Sequence, residues 1–250
     1  MTRRRSPARL LTSLVGAAIV AVLALGGYAV VSGEGIPQLP DARAASPSGS
    51  AGPSDAGEPT ARDAAVPSAV EARDLLAALP VKGSAPKTGY DRVADFGEAW
   101  LDVDGNGCDT RDDILARDLT DVVRRDGCVV LSGTLADPYT GTSIPFVRGP
   151  DTSARIQIDH VVPLLDAWRT GARALTQEAR ERLANDPLNL VAVDGPTNQR
   201  KGAGNAATWL PPAKAYRCEY AARQVAVKSA YGLWVVPAER AALERILGGC

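Results

Sequence analysis

The stretch that decides the fold is Ile156-Gln-Ile-Asp159-His160-Val161-Val162-Pro163, followed by Leu188-Asn189-Leu190-Val-Ala-Val193 and Asn198-Gln-Arg200-Lys201-Gly202. The first run, with Arg155 ahead of it, is short and β-branched and reads as a strand over 155–162. The second reads as another strand over 188–193. Pro196 suits the first turn of a helix, which the sequence carries toward Asn205. A strand, a turn and a helix would then return Asn198 toward the strand bearing Asp159 and His160. His160 is the single histidine of the 250-residue chain. An imidazole titrating near pH 6.5 is a natural general base at neutrality. Asp159 and Asn198 offer hard oxygen donors suited to Mg²⁺. One carboxylate and one amide leave most of a metal's shell open to water and phosphate, which suits phosphodiester hydrolysis.

Further out, Cys128–Leu135 and Ser143–Val147 read as strands. Asp137-Pro-Tyr-Thr-Gly141 between them has hairpin turn chemistry. Ser68 and Glu71 have capping-box spacing, so a helix should run from there to about Leu79. Thr110–Arg125 places Ile114, Leu115, Leu119, Val122 and Val123 on one helical face. Helices are also expected within Leu164–Ala184, with Thr176 as a cap, and over Ala213–Ala230 and Pro237–Leu247. The expected class is α+β.

The amino-terminal residues have another character. Arg3, Arg4, Arg5 and Arg9 precede an uncharged apolar run from Leu10 to Val31. This is the pattern of an export signal, and it is also long enough for a membrane anchor. Residues 32–67 are rich in Pro, Ala, Gly and Ser and read as a linker. The folded domain is expected over 68–250. Export places Cys108, Cys128, Cys218 and Cys250 in an oxidising compartment, where two disulfides are expected. Of the three pairings, Cys108–Cys128 and Cys218–Cys250 are favoured because each closes a loop within one region. No Cys-x-x-Cys pair supports a zinc site.

Composition removes several functions. Lys plus Arg (28) nearly balances Asp plus Glu (29), so the chain is not a globally basic nucleic-acid binder. The carboxy-terminal part is nonetheless net positive. There is no phosphate-cradling Gly-x-x-x-x-Gly-Lys loop and no Gly-x-Ser-x-Gly elbow. An Asp159/Asp166 glycosidase pair would leave Asn198 and Lys201 unexplained.

Asp-His-Val-Val-Pro163, Asn189-Leu190 and Asn198-x-x-Lys-Gly202 together resemble the HNH endonuclease superfamily, with its ββα-metal core. The similarity is greatest to secreted actinobacterial HNH proteins of the branch related to the GmrSD type. It extends over roughly Tyr90 to Cys250, through Trp100–Arg111, Asp137–Gly141, Asn185–Leu190 and Trp209–Pro212. The resemblance implies a metal-dependent endonuclease acting on nucleic acid, DNA in preference, with no obligate protein partner evident. It makes His160 the general base and Asn189 the residue that orients its ring. Asp159 and Asn198 would hold Mg²⁺ or Mn²⁺. Lys201, with Arg200, would bind substrate and stabilise the phosphorane charge. Asn198 stands where the family name has a final His, which favours hard metals.

A second motif lies in 102–113. Asp102, Asp104, Asn106, Gly107 and Asp113 fit much of a calcium-loop template, with Asp in place of the usual final Glu. The other reading is a polar turn stapled by Cys108, and Arg111 or Asp109 could reach the cleft. A non-catalytic, extracytoplasmic calcium-binding or envelope module is therefore the alternative to an exported nuclease, secreted or membrane-anchored.

Overall fold

The computed structural model describes residues 65–250. The expected signal or anchor (1–31) lies outside them, as does nearly all of the linker. No described helix is long and apolar enough to cross a membrane.

The described chain is α+β. Helix α1 (Ala69–Ala78) begins at Ser68, whose capping box with Glu71 is formed as expected. After α2 (Arg92–Phe96) and α3 (Thr110–Asp118) come β1 (Leu119–Arg125), β2 (Val129–Ala136) and β3 (Ser143–Val147). These three strands form an antiparallel sheet in that order. Then follow β4 (Ile156–His160), α4 (Leu164–Arg169), α5 (Gln177–Asn185, capped by Thr176), β5 (Leu190–Asp194) and α6 (Gly195–Lys201). Helices α7 (Arg217–Ala230) and α8 (Pro237–Gly248) close the chain. Strands β4 and β5 pair antiparallel, with Asp159 opposite Val191 and His160 opposite Leu190.

Two expectations fail. The helix read over Thr110–Arg125 stops at Asp118, and Leu119–Arg125 is a strand. Its apolar residues do fall at helical spacing. Pairing with β2 outweighs that local signal, helped by the β-branched Thr120, Val122 and Val123. The ladder bulges between Thr120 and Val123, where Asp121 takes φ 52°. The expected helix through Asn205 also ends early, because Gly202 turns the chain with φ 53°.

Ile114 and Leu115 of α3 pack with Val130, Leu135, Phe146, Ile156, Ile158 and Leu190, so one core joins both sheets. Leu76, Val225, Leu243 and Leu247 hold α1, α7 and α8 together. Within that bundle the Lys228 ammonium is fully buried. It lies 2.9 Å from Asp166 and 2.6 Å from Glu239, tying α4, α7 and α8.

Both expected disulfides are present, Cys108–Cys128 and Cys218–Cys250. They span 20 and 32 residues. Closing loops of this length restricts the unfolded chain by about 3–4 kcal/mol each. Opening either bridge by a double Cys→Ser replacement should therefore lower stability by about that amount in denaturant unfolding. An unchanged midpoint would refute this.

Candidate active site

The site is built where β4, β5 and α6 meet. Asp194 ends β5 and caps α6, accepting from the Thr197 amide at 2.9 Å and its hydroxyl at 2.6 Å. The turn between them requires Gly195, since a Cβ there would stand 2.2 Å from the Ala154 carbonyl oxygen. Helix α6 thus starts tightly against β4. Asn198 and Lys201, one turn apart, share a helix face.

Asp159, His160 and Asn198 line one cleft of about 300 Å³, together with Tyr90, Arg92, Ile158, Pro163 and Gly202. Asp159 and His160 point to different partners, as neighbours on a strand should. Asp159 is buried. Its Oδ2 accepts from the Tyr139 hydroxyl and, at 2.6 Å, from the Lys201 ammonium. Burial pushes its pKa up, opposed mainly by the positive charge of Lys201. Tyr139 sits in an aromatic cage of Trp209, Tyr216 and Tyr220. Burial first, and then the neighbouring Asp159 charge, hold its phenol well above the ordinary value, so it stays a donor.

His160 Nε2 lies 2.8 Å from the Ala184 carbonyl oxygen in the last turn of α5. A carbonyl only accepts, so Nε2 carries the proton and Nδ1 keeps the lone pair. The ring also stacks on Trp100, with centroids 6.2 Å apart and planes 11° from parallel. Burial pushes the His160 pKa down to about 3, helped by the positive charge of Arg92. The imidazole is neutral at pH 7. Between pH 6.5 and about 3 the unfolded chain binds the proton and the native chain does not. Stability should therefore fall as pH drops from about 6.5 toward 3. Urea midpoints between pH 7.5 and 4 should show this slope in the wild type and a shallower one in His160→Asn. Equal slopes would contradict it.

Three expected roles change. Asn189 does not hold the imidazole. Its Oδ1 accepts from the Val162 amide at 2.8 Å, and its Nδ2 donates to the Val162 and Leu183 carbonyls at 3.3 Å. It fixes the backbone after His160, and Ala184 fixes the ring. Lys201 does not face the cleft as a free cation. Its side chain is fully buried and is spent on Asp159 and, at 2.7 Å, on the His160 carbonyl. Arg200 is exposed and donates to the Thr197 hydroxyl at 2.6 Å, and it does not line the cleft. Arg111 does not reach the cleft either. It braces the Ser153 and Ile156 carbonyls at the start of β4.

Among the described residues no group of three or more His, Cys, Asp or Glu side chains is placed to hold a metal. A cation in the cleft would have Asp159 and Asn198. The Asn198 amide nitrogen donates to Gln157 Oε1 at 3.0 Å, so its carbonyl oxygen is the end Gln157 leaves uncommitted. Two hard oxygens on one cleft fit Mg²⁺ or Mn²⁺ held largely by water and phosphate. In the 102–113 loop, Asp102 accepts from the Asn106 and Gly107 amides. The Asn106 amide nitrogen is within 3.1 Å of oxygens of both Asp104 and Asp113. Asp109 caps α3 through the Asp112 amide at 2.7 Å.

The sequence reading missed Tyr139, Arg92 and Trp100. Tyr139 was visible only as a turn residue. Arg92 and Trp100 lie about sixty residues before His160, and only the tertiary fold brings them to it.

A two-stranded antiparallel unit followed by a helix thus brings a histidine, an aspartate and an asparagine to one cleft of an α+β domain. The GmrSD restriction endonuclease C-terminal domain family matches residues 109–246, and the chain belongs to that family. An "Uncharacterized secreted protein" of Arthroderma benhamiae (strain ATCC MYA-4681 / CBS 112371) is 38% identical over 187 residues, covering 74% of this chain and 87% of the relative. No solved structure matches at a significant level.

Proposed function

We propose that the chain is an exported, metal-dependent endonuclease that hydrolyses phosphodiester bonds, with DNA as the favoured substrate. The observation that carries this reading is the state of His160. The Ala184 carbonyl fixes the Nε2–H tautomer, so Nδ1 keeps its lone pair, and His160 lines one cleft with Asp159 and Asn198.

In this reading Nδ1 takes the proton of the attacking water. The proton stays on the ring, and the carbonyl end of α5 stabilises the imidazolium so formed. Asp159 and Asn198 would hold the divalent ion. A bound Mg²⁺ or Mn²⁺ supplies Lewis-acid polarisation of the phosphate and neutralises the leaving oxygen. Tyr139 and Lys201 hold Asp159 in place through Oδ2, which leaves Oδ1 outside those two bonds. Asn189 holds the Val161–Val162 backbone so that β4 ends in a fixed direction.

Export is supported by the two disulfides, by the secreted description of the relative, and by the arginines and apolar run at the amino terminus. A second reading, a non-catalytic extracytoplasmic module retaining the fold, draws on the pairing of Asp159 with Lys201, which already satisfies much of that carboxylate. Cleavage of plasmid DNA in Mg²⁺ or Mn²⁺, abolished by EDTA, separates the two. Folded, oxidised protein that cleaves neither DNA nor RNA in any metal would leave the module.

A further inference from the structure

Lys201 is buried against Asp159, and Arg200 is not in the cleft. The cleft therefore lacks the phosphate-binding cation expected of α6. Among the described residues that line it, Arg92 is the only cation. Arg92 is exposed and makes no ion pair with any described residue. It also lines a second, small cavity, with Trp100, His160 and Asn185. Arg92 therefore lines both of the cavities that His160 lines.

The segment that carries Arg92 is firmly built. Asp91 caps α2 by accepting from the Val93 and Ala94 amides at 3.0 and 2.9 Å. Phe96 is buried and packs with Tyr90 and Trp168, all three rings within 6.4 Å of each other. Arg180 of α5 donates to the Asp95 carbonyl at 2.7 Å. Gly97 ends the helix against Glu181, whose Cγ a Cβ would meet at 3.0 Å. Five residues on a short helix are thus clamped to α4 and α5, and the one long cation among them is turned to the cleft. This segment precedes the residues matched by the family, 109–246.

We infer that Arg92 is the cleft's phosphate-binding residue, contacting a backbone phosphate of the nucleic-acid strand next to the scissile bond. The inference rests on the nuclease reading and names the residue that holds its substrate. A guanidinium presents paired N–H donors that match phosphate oxygens, which an ammonium cannot reproduce. Its position outside the paired Asp159–Lys201 couple leaves its charge available to an anion.

The test is binding without cleavage. The full-length, oxidised His160→Ala chain is titrated with a fluorescent DNA duplex in EDTA from 50 to 200 mM salt, alone and with Arg92→Ala or Arg92→Lys added. Arg92→Ala should weaken binding several-fold at low salt and flatten the log K against log salt slope by about 0.9, one phosphate contact. Arg92→Lys should keep the slope and lose less affinity. Both variants should retain the parent's thermal unfolding, since Arg92 is exposed. Equal affinity and slope in Arg92→Ala would overturn the role of Arg92 and leave the nuclease reading standing. A parent that binds neither duplex, single strand nor RNA would overturn the nucleic-acid reading itself.

Discussion

Lys201→Met should cost the protein about 3–5 kcal/mol of stability, among the largest losses available from a single side chain. The ammonium is fully buried and the Asp159 side chain almost so, with 2.6 Å between them. Removing the cation leaves a carboxylate in an apolar surround, where only Tyr139 still donates to Oδ2. The Asp159→Asn/Lys201→Met double variant should recover much of that loss, because it removes the stranded charge together with its partner. Urea unfolding of the two variants checks this. A Lys201→Met midpoint equal to wild type would mean that the pair carries no such weight. A double variant no better than the single would mean that shape, and not charge, sets the cost.

His160→Ala should lower the cleavage rate by about 10²–10⁴-fold, the usual range for loss of a general base. The effect should fall on kcat with little change in substrate affinity, since the imidazole is neutral and buried and offers no charge to a phosphate. His160→Asn should be equally slow. A variant retaining wild-type kcat would remove His160 from the chemistry and shift attention to the cleft's carboxylate. The acid limb of the wild-type pH–rate profile should lie below the ordinary histidine value of 6.5, because burial and the Arg92 charge both disfavour the imidazolium.

Much of this site was legible in the sequence, and the reasons are local. Asp159-His160 ends a β-branched run, and Pro196 opens a short helix, although its end at Gly202 was not read. Those signals carry Asn198 back toward the histidine. The hairpin turn at 137–141, the capping box at Ser68 and the two cysteine pairs are likewise short-range features. What could not be read was set by tertiary pairing. Leu119–Arg125 has helical spacing and becomes a strand because β2 lies beside it. Lys201 looked like a free cation because its partners, the Asp159 carboxylate and the His160 carbonyl, reach it only when α6 packs on β4. Asn189 looked like a partner for the ring. The free carbonyls at the end of α5 decided otherwise: Ala184 took His160 Nε2, and Leu183 took the Asn189 amide. Arg92 gave no signal at all, since an exposed arginine on a five-residue helix is ordinary in any sequence.

His160, Asp159 and Asn198 are proposed to form a metal-dependent phosphodiesterase centre. This is tested most directly by following supercoiled plasmid over time with the oxidised protein in Mg²⁺ or Mn²⁺. EDTA and the His160→Ala and Asn198→Ala variants run alongside. Nicking is expected in either metal, none in EDTA, and loss in both variants with their fold retained. Cleavage that persists in EDTA or in His160→Ala would contradict it, as would a folded wild-type protein inert toward DNA and RNA in every metal.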